Sequence, residues 1–172
     1  MRLSFSGKRV LVLGGSCDLA LTLTEHLIQE GLFPVLTYRS EAGHGRINER
    51  LAGLHGKYEA VFLDLSDPGS ISSLFKRTGS DLDYLVDFAQ GDLEGFIASV
   101  NQDAVTRYFN ENIAMRAGII KEASRLMLAK RRGRLVFVSS AAALRANPGQ
   151  GYYAAAKLAS EALYKSLGME MG

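Results

Sequence analysis

The sequence predicts a doubly wound α/β fold, a single parallel sheet with helices on both faces. Short apolar runs rich in β-branched residues alternate with longer segments of helical period, the pattern of strand-helix-strand units. The runs are apolar at successive positions, as strands covered from two sides must be. Glycines and chemistry-bearing residues collect just after these runs, at the carboxyl ends where such sheets bind ligands.

In chain order, Lys8 to Leu13 reads as the first strand, and Asp18 to Glu30 as a helix stopped by Gly31. Phe33 to Tyr38 is the second strand; a loop with Gly43 and Gly45 then leads to a short helix around Ile47 to Leu54. Tyr58 to Leu63 is the third strand, Pro68 to Arg77 a helix that proline can begin, and Leu82 to Phe88 the fourth strand. A long helix is expected over Gln102 to Lys130, a fifth strand over Arg134 to Ser139, and a final helix from about Tyr152 to the end.

Length and composition bound the function. The 172 residues, 47% hydrophobic, suit one core, so residues 1–172 are expected to form a single domain. A net charge of +2 argues against a dedicated nucleic-acid binder. One cysteine, Cys17, leaves no internal disulfide, and the three histidines lie in different segments without metal-ligand spacing. No N-terminal run resembles a signal peptide or a membrane span, so the cytoplasm is the expected compartment.

Four constellations carry chemistry. Gly14-Gly15-Ser16-Cys17-Asp18-Leu19-Ala20 joins the first strand to its helix, and glycines there let backbone N–H groups approach a diphosphate at the positive helix end. A plain strand-to-helix turn would look the same, and no Lys-Ser/Thr follows to make it a P-loop. Arg39, closing the second strand, suits a 2′-phosphate as an acidic residue there would suit a free ribose hydroxyl; a solvated loop arginine is the alternative. Asp64 ends the third strand and could accept from an adenine amino group, while Ser66 and Asp67 cap the next helix. Finally, Tyr153 and Lys157 lie one helical turn apart, with Ser140 thirteen residues before the tyrosine. A phenol with ordinary pKa near 10 exchanges protons near neutrality only when a neighbouring cation favours phenolate, and Lys157 can supply that charge. Asn112, inside the long helical segment, could widen the helix locally and hold a water that feeds protons to Lys157.

Taken together, these residues resemble the short-chain dehydrogenase/reductase family over essentially the whole chain. Arg131-Arg132-Gly133-Arg134, Ser139-Ser140, Asn147-Pro148-Gly149-Gln150 and Tyr153 to Lys157 are most similar to the 3-oxoacyl-[acyl-carrier-protein] reductases. The resemblance implies a three-layer α/β/α Rossmann fold and an oxidoreductase that passes hydride from NADPH to a ketone. It implies Asn112, Ser140, Tyr153 and Lys157 as catalytic residues. It places the NADP(H) cofactor against Gly14, Ser16, Cys17, Asp18, Leu19, Arg39, Asp64, Leu65, Ala89 and Gln90, with Tyr153 and Lys157 on the nicotinamide side. An acyl carrier protein, docked on the basic run Lys130 to Arg134, and a homodimer or homotetramer built on the last two long helices are the implied partners.

Three departures accompany the resemblance. Asp18 and Ala20 stand where the family's turn has its second and third glycines, and Asp87-Phe88-Ala89-Gln90 stands for Asn-Asn-Ala-Gly. Family members also continue through two more strands and a substrate lid, so the C-terminal strands and lid are expected to be lacking and the fifth strand to be a bare apolar edge. An inactive homologue serving as structural partner of an active reductase is the competing expectation, discriminated by whether the chain binds NADPH.

Overall fold

A computed structural model describes residues 4–145 and 147–172. Five parallel strands, β1 (Arg9–Leu13), β2 (Phe33–Tyr38), β3 (Glu59–Phe62), β4 (Leu82–Asp87) and β5 (Arg134–Phe137), form one sheet in the order β3-β2-β1-β4-β5. The helices α1 (Asp18–Gln29), α2 (Glu41–Arg50), α3 (Pro68–Thr78), α4 (Gln102–Phe109), α5 (Arg116–Ala129) and α6 (Gly151–Met171) connect and cover it. From β1 the chain first winds one way to β2 and β3, then crosses back to β4 and β5. The reversal leaves a crevice beyond the strand ends beside β1.

Alternation along β1 explains the layering. Val10 and Val12 join one buried cluster with Ala20, Leu21, Leu27, Ile47 and Leu51, the α1 and α2 side. Leu11 and Leu13 join the other with Leu74, Ile119, Ala123 and Met127, the α3 and α5 side. With side chains alternating between two covered faces, both residue sets must be apolar, which is why the run reads as continuously hydrophobic. β5 pairs only with β4 among the described residues, and Val136 stays 51% exposed, in keeping with the expected apolar edge. No helix among the described residues is long and apolar enough to cross a membrane.

One helix departs from expectation. The short helix expected at Ile47 to Leu54 begins instead at Glu41: the Ser40 hydroxyl accepts from the Gly43 N–H and caps it, and Ala52–Leu54 is a separate 3₁₀ turn. Glycine spacing suggested a loop, but Gly43 is a packing glycine, since a Cβ there would meet the Ser16 hydroxyl at 3.1 Å. The long helix runs from Gln102 to Ala129 nearly as expected, and the local widening expected at Asn112 takes the form of a π-helical turn over Asn110–Met115 between α4 and α5. At the start of α3, Asp67 caps the helix as anticipated, accepting from the Gly69 N–H, whereas Ser66 bonds back to Asp64.

The amino end of the sheet is tied together by Asp83, only 4% exposed. Its carboxylate accepts from the backbone N–H groups of Lys8 (2.7 Å) and Arg9 (3.1 Å) and pairs with Lys130 (2.8 Å) and Arg132 (3.2 Å). Burial opposes its ionisation, but the Lys130 hydrogen bond and the two backbone donors outweigh that, and the carboxyl titrates at about 2. The basic run is therefore not an open patch of four cations; two of them are engaged inside this chain.

Candidate active site

The crevice at the strand ends is a cleft of about 230 Å³. Its walls include Gly14, Ser16, Cys17, Arg39, Asp64, Leu65, Ala89, Gln90 and Asn112. Gly14 has φ +68°, and a Cβ there would lie 2.8 Å from the Ala89 nitrogen, so only glycine lets the first turn pass so close to the end of β4. Thr37 fixes that turn from β2 by accepting from the Gly14 N–H at 3.0 Å. Asp64 is held by Ser66: its carboxylate accepts from the Ser66 N–H and hydroxyl, each at 2.8 Å, and these bonds lower its pKa, with Arg39 contributing.

Asp18 and Leu19 do not line the cleft. Leu19 is 67% exposed, and the Asp18 carboxylate faces solvent, paired at 2.7 Å with Arg46 of α2. The physical reason is helical: the first residue of α1 projects its side chain outward while Ala20, two residues on, packs into the core. The carboxylate that would oppose a phosphate is thus turned away from it.

Asn112 lies in the π turn, 1% exposed. Its Nδ2 donates to the Tyr108 carbonyl four residues back, and its Oδ1 accepts from the Gly91 N–H, both at 2.9 Å. A side-chain donor inserted into the helical ladder accompanies the widened turn. The amide therefore pins the loop after β4 to the π turn.

On α6, Tyr153 is half-buried and Lys157 is 4% exposed. The Lys157 Nζ lies 5.9 Å from the Tyr153 ring centre and 4.9 Å from that of Phe137, and donates to the Val138 carbonyl at 2.8 Å. Burial, then repulsion by Arg116, lowers its pKa to about 8, with Asp87 acting in the opposite sense. Tyr152 is otherwise occupied, its hydroxyl donating to the Ile97 carbonyl at 3.1 Å. Ser139 turns outward to Glu161, while the Ser140 hydroxyl accepts from the Ala142 N–H at 3.2 Å and keeps its own proton free to donate.

The short chain dehydrogenase family model matches residues 8–172. The chain belongs to that family. The 3-oxoacyl-[acyl-carrier-protein] reductase of Salmonella typhimurium is 30% identical to this short-chain dehydrogenase over 172 residues, 98% of this chain and 69% of the relative. A solved short chain dehydrogenase/reductase family protein superposes with a TM-score of 0.86 at 26% identity, covering 96% of this chain and 69% of that one. A 3-oxoacyl (acyl-carrier-protein) reductase from Agrobacterium tumefaciens, solved with NADP bound, has the same fold at 23% identity and a TM-score of 0.86, covering 96% and 65%.

This short-chain dehydrogenase also holds residues that the sequence left unremarked. Arg116 is buried beneath Ala89 and Gln90, and the buried Tyr108 supports Gln90, its hydroxyl accepting from the Gln90 Nε2 at 2.6 Å. A signal was present: Asp87 ends an apolar strand, and a buried carboxylate needs a cation, which Arg116 supplies at 3.1 Å.

Proposed function

We propose that this short-chain dehydrogenase is an NADPH-dependent carbonyl reductase that converts 3-oxoacyl thioesters to 3-hydroxyacyl thioesters. The observation that carries the reading is the buried ammonium of Lys157 one helical turn from Tyr153. The cleft suits the cofactor: Gly14 permits a close backbone approach, the Asp18 carboxylate is averted, and Arg39 is exposed and without an ion-pair partner among the described residues. Gly14, Ser16, Cys17, Arg39, Asp64, Leu65, Ala89 and Gln90 would hold NADP(H), with Arg39 against the 2′-phosphate. When bound, the cofactor supplies the hydride.

The chain's own groups handle the proton. Tyr153 donates its phenolic proton to the carbonyl oxygen, and Lys157 favours the resulting phenolate. Ser140, its hydroxyl proton unclaimed, donates a hydrogen bond that positions the same oxygen. Asn112 holds the loop and a relay water behind Lys157. An acyl carrier protein as partner rests on Arg131 and Arg134, the exposed cations of the basic run outside the Asp83 cluster, and oligomers on the α5 and α6 faces.

One observation favours the second reading, an inactive structural partner. Gln90 fills part of the cleft wall where the family has glycine. Fluorescence titration with NADPH and NADH decides between them: micromolar NADPH binding that is weaker for NADH supports the reductase, and no binding of either supports the partner.

A further inference from the structure

Arg116 is the largest fully buried side chain among the described residues, 1% exposed, at the start of α5. Its guanidinium donates to the Ala89 carbonyl, to Ser160 Oγ at 2.7 Å and to Gln90 Oε1 at 3.3 Å, and its Nε faces Asp87 Oδ2 at 3.1 Å. Asp87 is itself 0% exposed and accepts further from the Tyr164 hydroxyl at 2.9 Å and the Ala89 N–H at 3.0 Å. Desolvating a guanidinium costs several kcal/mol unless its donors are met, so every acceptor here is part of what makes the burial possible.

The same arginine shares surroundings with Lys157. Arg116 lies 5.4 Å and Lys157 4.9 Å from the centre of the one Phe137 ring. The groups about Lys157 are Arg116 of α5, Asp87 of β4, Tyr153 on its own helix, and Phe137 with the Val138 carbonyl from the β5 wall. Tyr164, a turn or two further on, is bonded to Asp87, and Tyr108 of α4 reaches the cluster through Gln90. Two buried cations share the surroundings of one buried carboxyl, Asp87, whose pKa burial raises against the pull of Arg116, so positive charge is in excess by at least one beside the Tyr153 ring. An excess buried charge is relieved either by loss of a proton from Lys157 or by formation of an anion nearby.

We propose that Arg116 is a positioning residue for the reduction: clamped on Asp87, it draws the Ala89 carbonyl and the Gln90 amide into the cleft floor and maintains the positive excess that Tyr153 and Lys157 share. This rests on the reading of Tyr153 and Lys157 as the proton-donating pair. It differs from mere core packing in one respect, because a packing residue of equal size would leave the titration of Lys157 where it is. The Lys157 pKa of about 8, lowered by burial first and by Arg116 next, agrees with that coupling.

The test follows the ¹³Cε resonance of Lys157, assigned through its loss in Lys157→Gln, against pH in the cofactor-free protein. With Arg116→Gln, the proton affinity of Lys157 is expected to rise about ten-fold or more, because Asp87 then faces it alone; Arg116→Lys, which keeps the charge, should stay within about three-fold of wild type. The upper limb of the pH profile for ketone reduction should move with it. An unchanged Lys157 titration in folded Arg116→Gln overturns the proposal. Should that variant fail to fold, the isosteric Asp87→Asn decides: Lys157 loses proton affinity several-fold if the proposal holds, and an unshifted titration overturns it. Because the titration needs no cofactor, its outcome is separate from that of NADPH binding, whose absence in the wild type would instead remove the reductase reading.

Discussion

At the scale of single residues, Asp18 shows how one ion pair can hold a carboxylate away from a glycine-rich turn. Arg46 of α2 holds the Asp18 carboxylate outward at 2.7 Å, on the solvent side of the helix. Exposed pairs contribute little to stability, so Arg46→Ala should leave the urea midpoint unchanged while weakening NADPH binding at low salt by up to about 1 kcal/mol, as the freed carboxylate samples positions nearer the phosphates. Isothermal titration at two ionic strengths checks it; an equal loss at high salt would mean that charge is not the cause. Arg39→Ala should cost roughly 1.5–3 kcal/mol in NADPH affinity with little change for NADH, measured by the same titration. Tyr153→Phe should abolish ketone reduction with NADPH affinity nearly intact, whereas Tyr152→Phe, which loses only a bond to the Ile97 carbonyl, should retain most activity. The spacing of Tyr153 and Lys157 was legible because helical geometry turns four residues into one face. Arg116 was not, because an arginine in a helix reads as solvated until the fold brings Asp87 to it across 29 residues of chain.

At the scale of elements, the strands were readable to within a residue or two, since two-sided burial leaves a continuous apolar signature. The π turn was only half readable. Asn112 pointed to a local widening, yet nothing in the pattern reveals that its amide would fasten the Gly91 loop. α2 was misplaced because Gly43 and Gly45 suggest a loop when glycine is judged by propensity alone, while contact with Ser16 demands a small residue. Asn112→Leu removes a buried amide with both of its hydrogen bonds and leaves the Gly91 N–H without its acceptor. A loss of about 1–3 kcal/mol in urea unfolding is the expected result. Equal stability would show that the π turn is held by its neighbours.

For the whole molecule, buried charges make stability depend on pH, and two of them, Asp83 and Lys157, act in separate ranges. The Asp83 carboxyl titrates at about 2 when folded, below the ordinary 3.8, so its contribution is complete above the ordinary value and is lost as pH falls towards 2. That contribution is about 2 kcal/mol and should vanish from the acid limb of the unfolding curve in Asp83→Asn. Lys157 is depressed from 10.5 to about 8, so the unfolded chain binds its proton more readily in that interval and stability should climb as pH rises from 8 towards 10.5. Both slopes are positive, and Lys157→Met should flatten the upper one. Thermal unfolding across the two ranges reads both.

β1 is hydrogen-bonded along its length to β2 on one side and β4 on the other, and both its faces are covered, whereas β5 has a partner on one side only among the described residues. Amide protons of Val10 to Leu13 should accordingly be the last to exchange with deuterium, opening only with global unfolding, while those of β5 exchange through cheaper local excursions. Gly14 hangs from the first of these strands and Ser140 follows the second. The two parts of the proposed site should then differ in how often they open: the turn proposed to receive the phosphates only with the whole fold, the wall proposed to receive the ketone by local excursions.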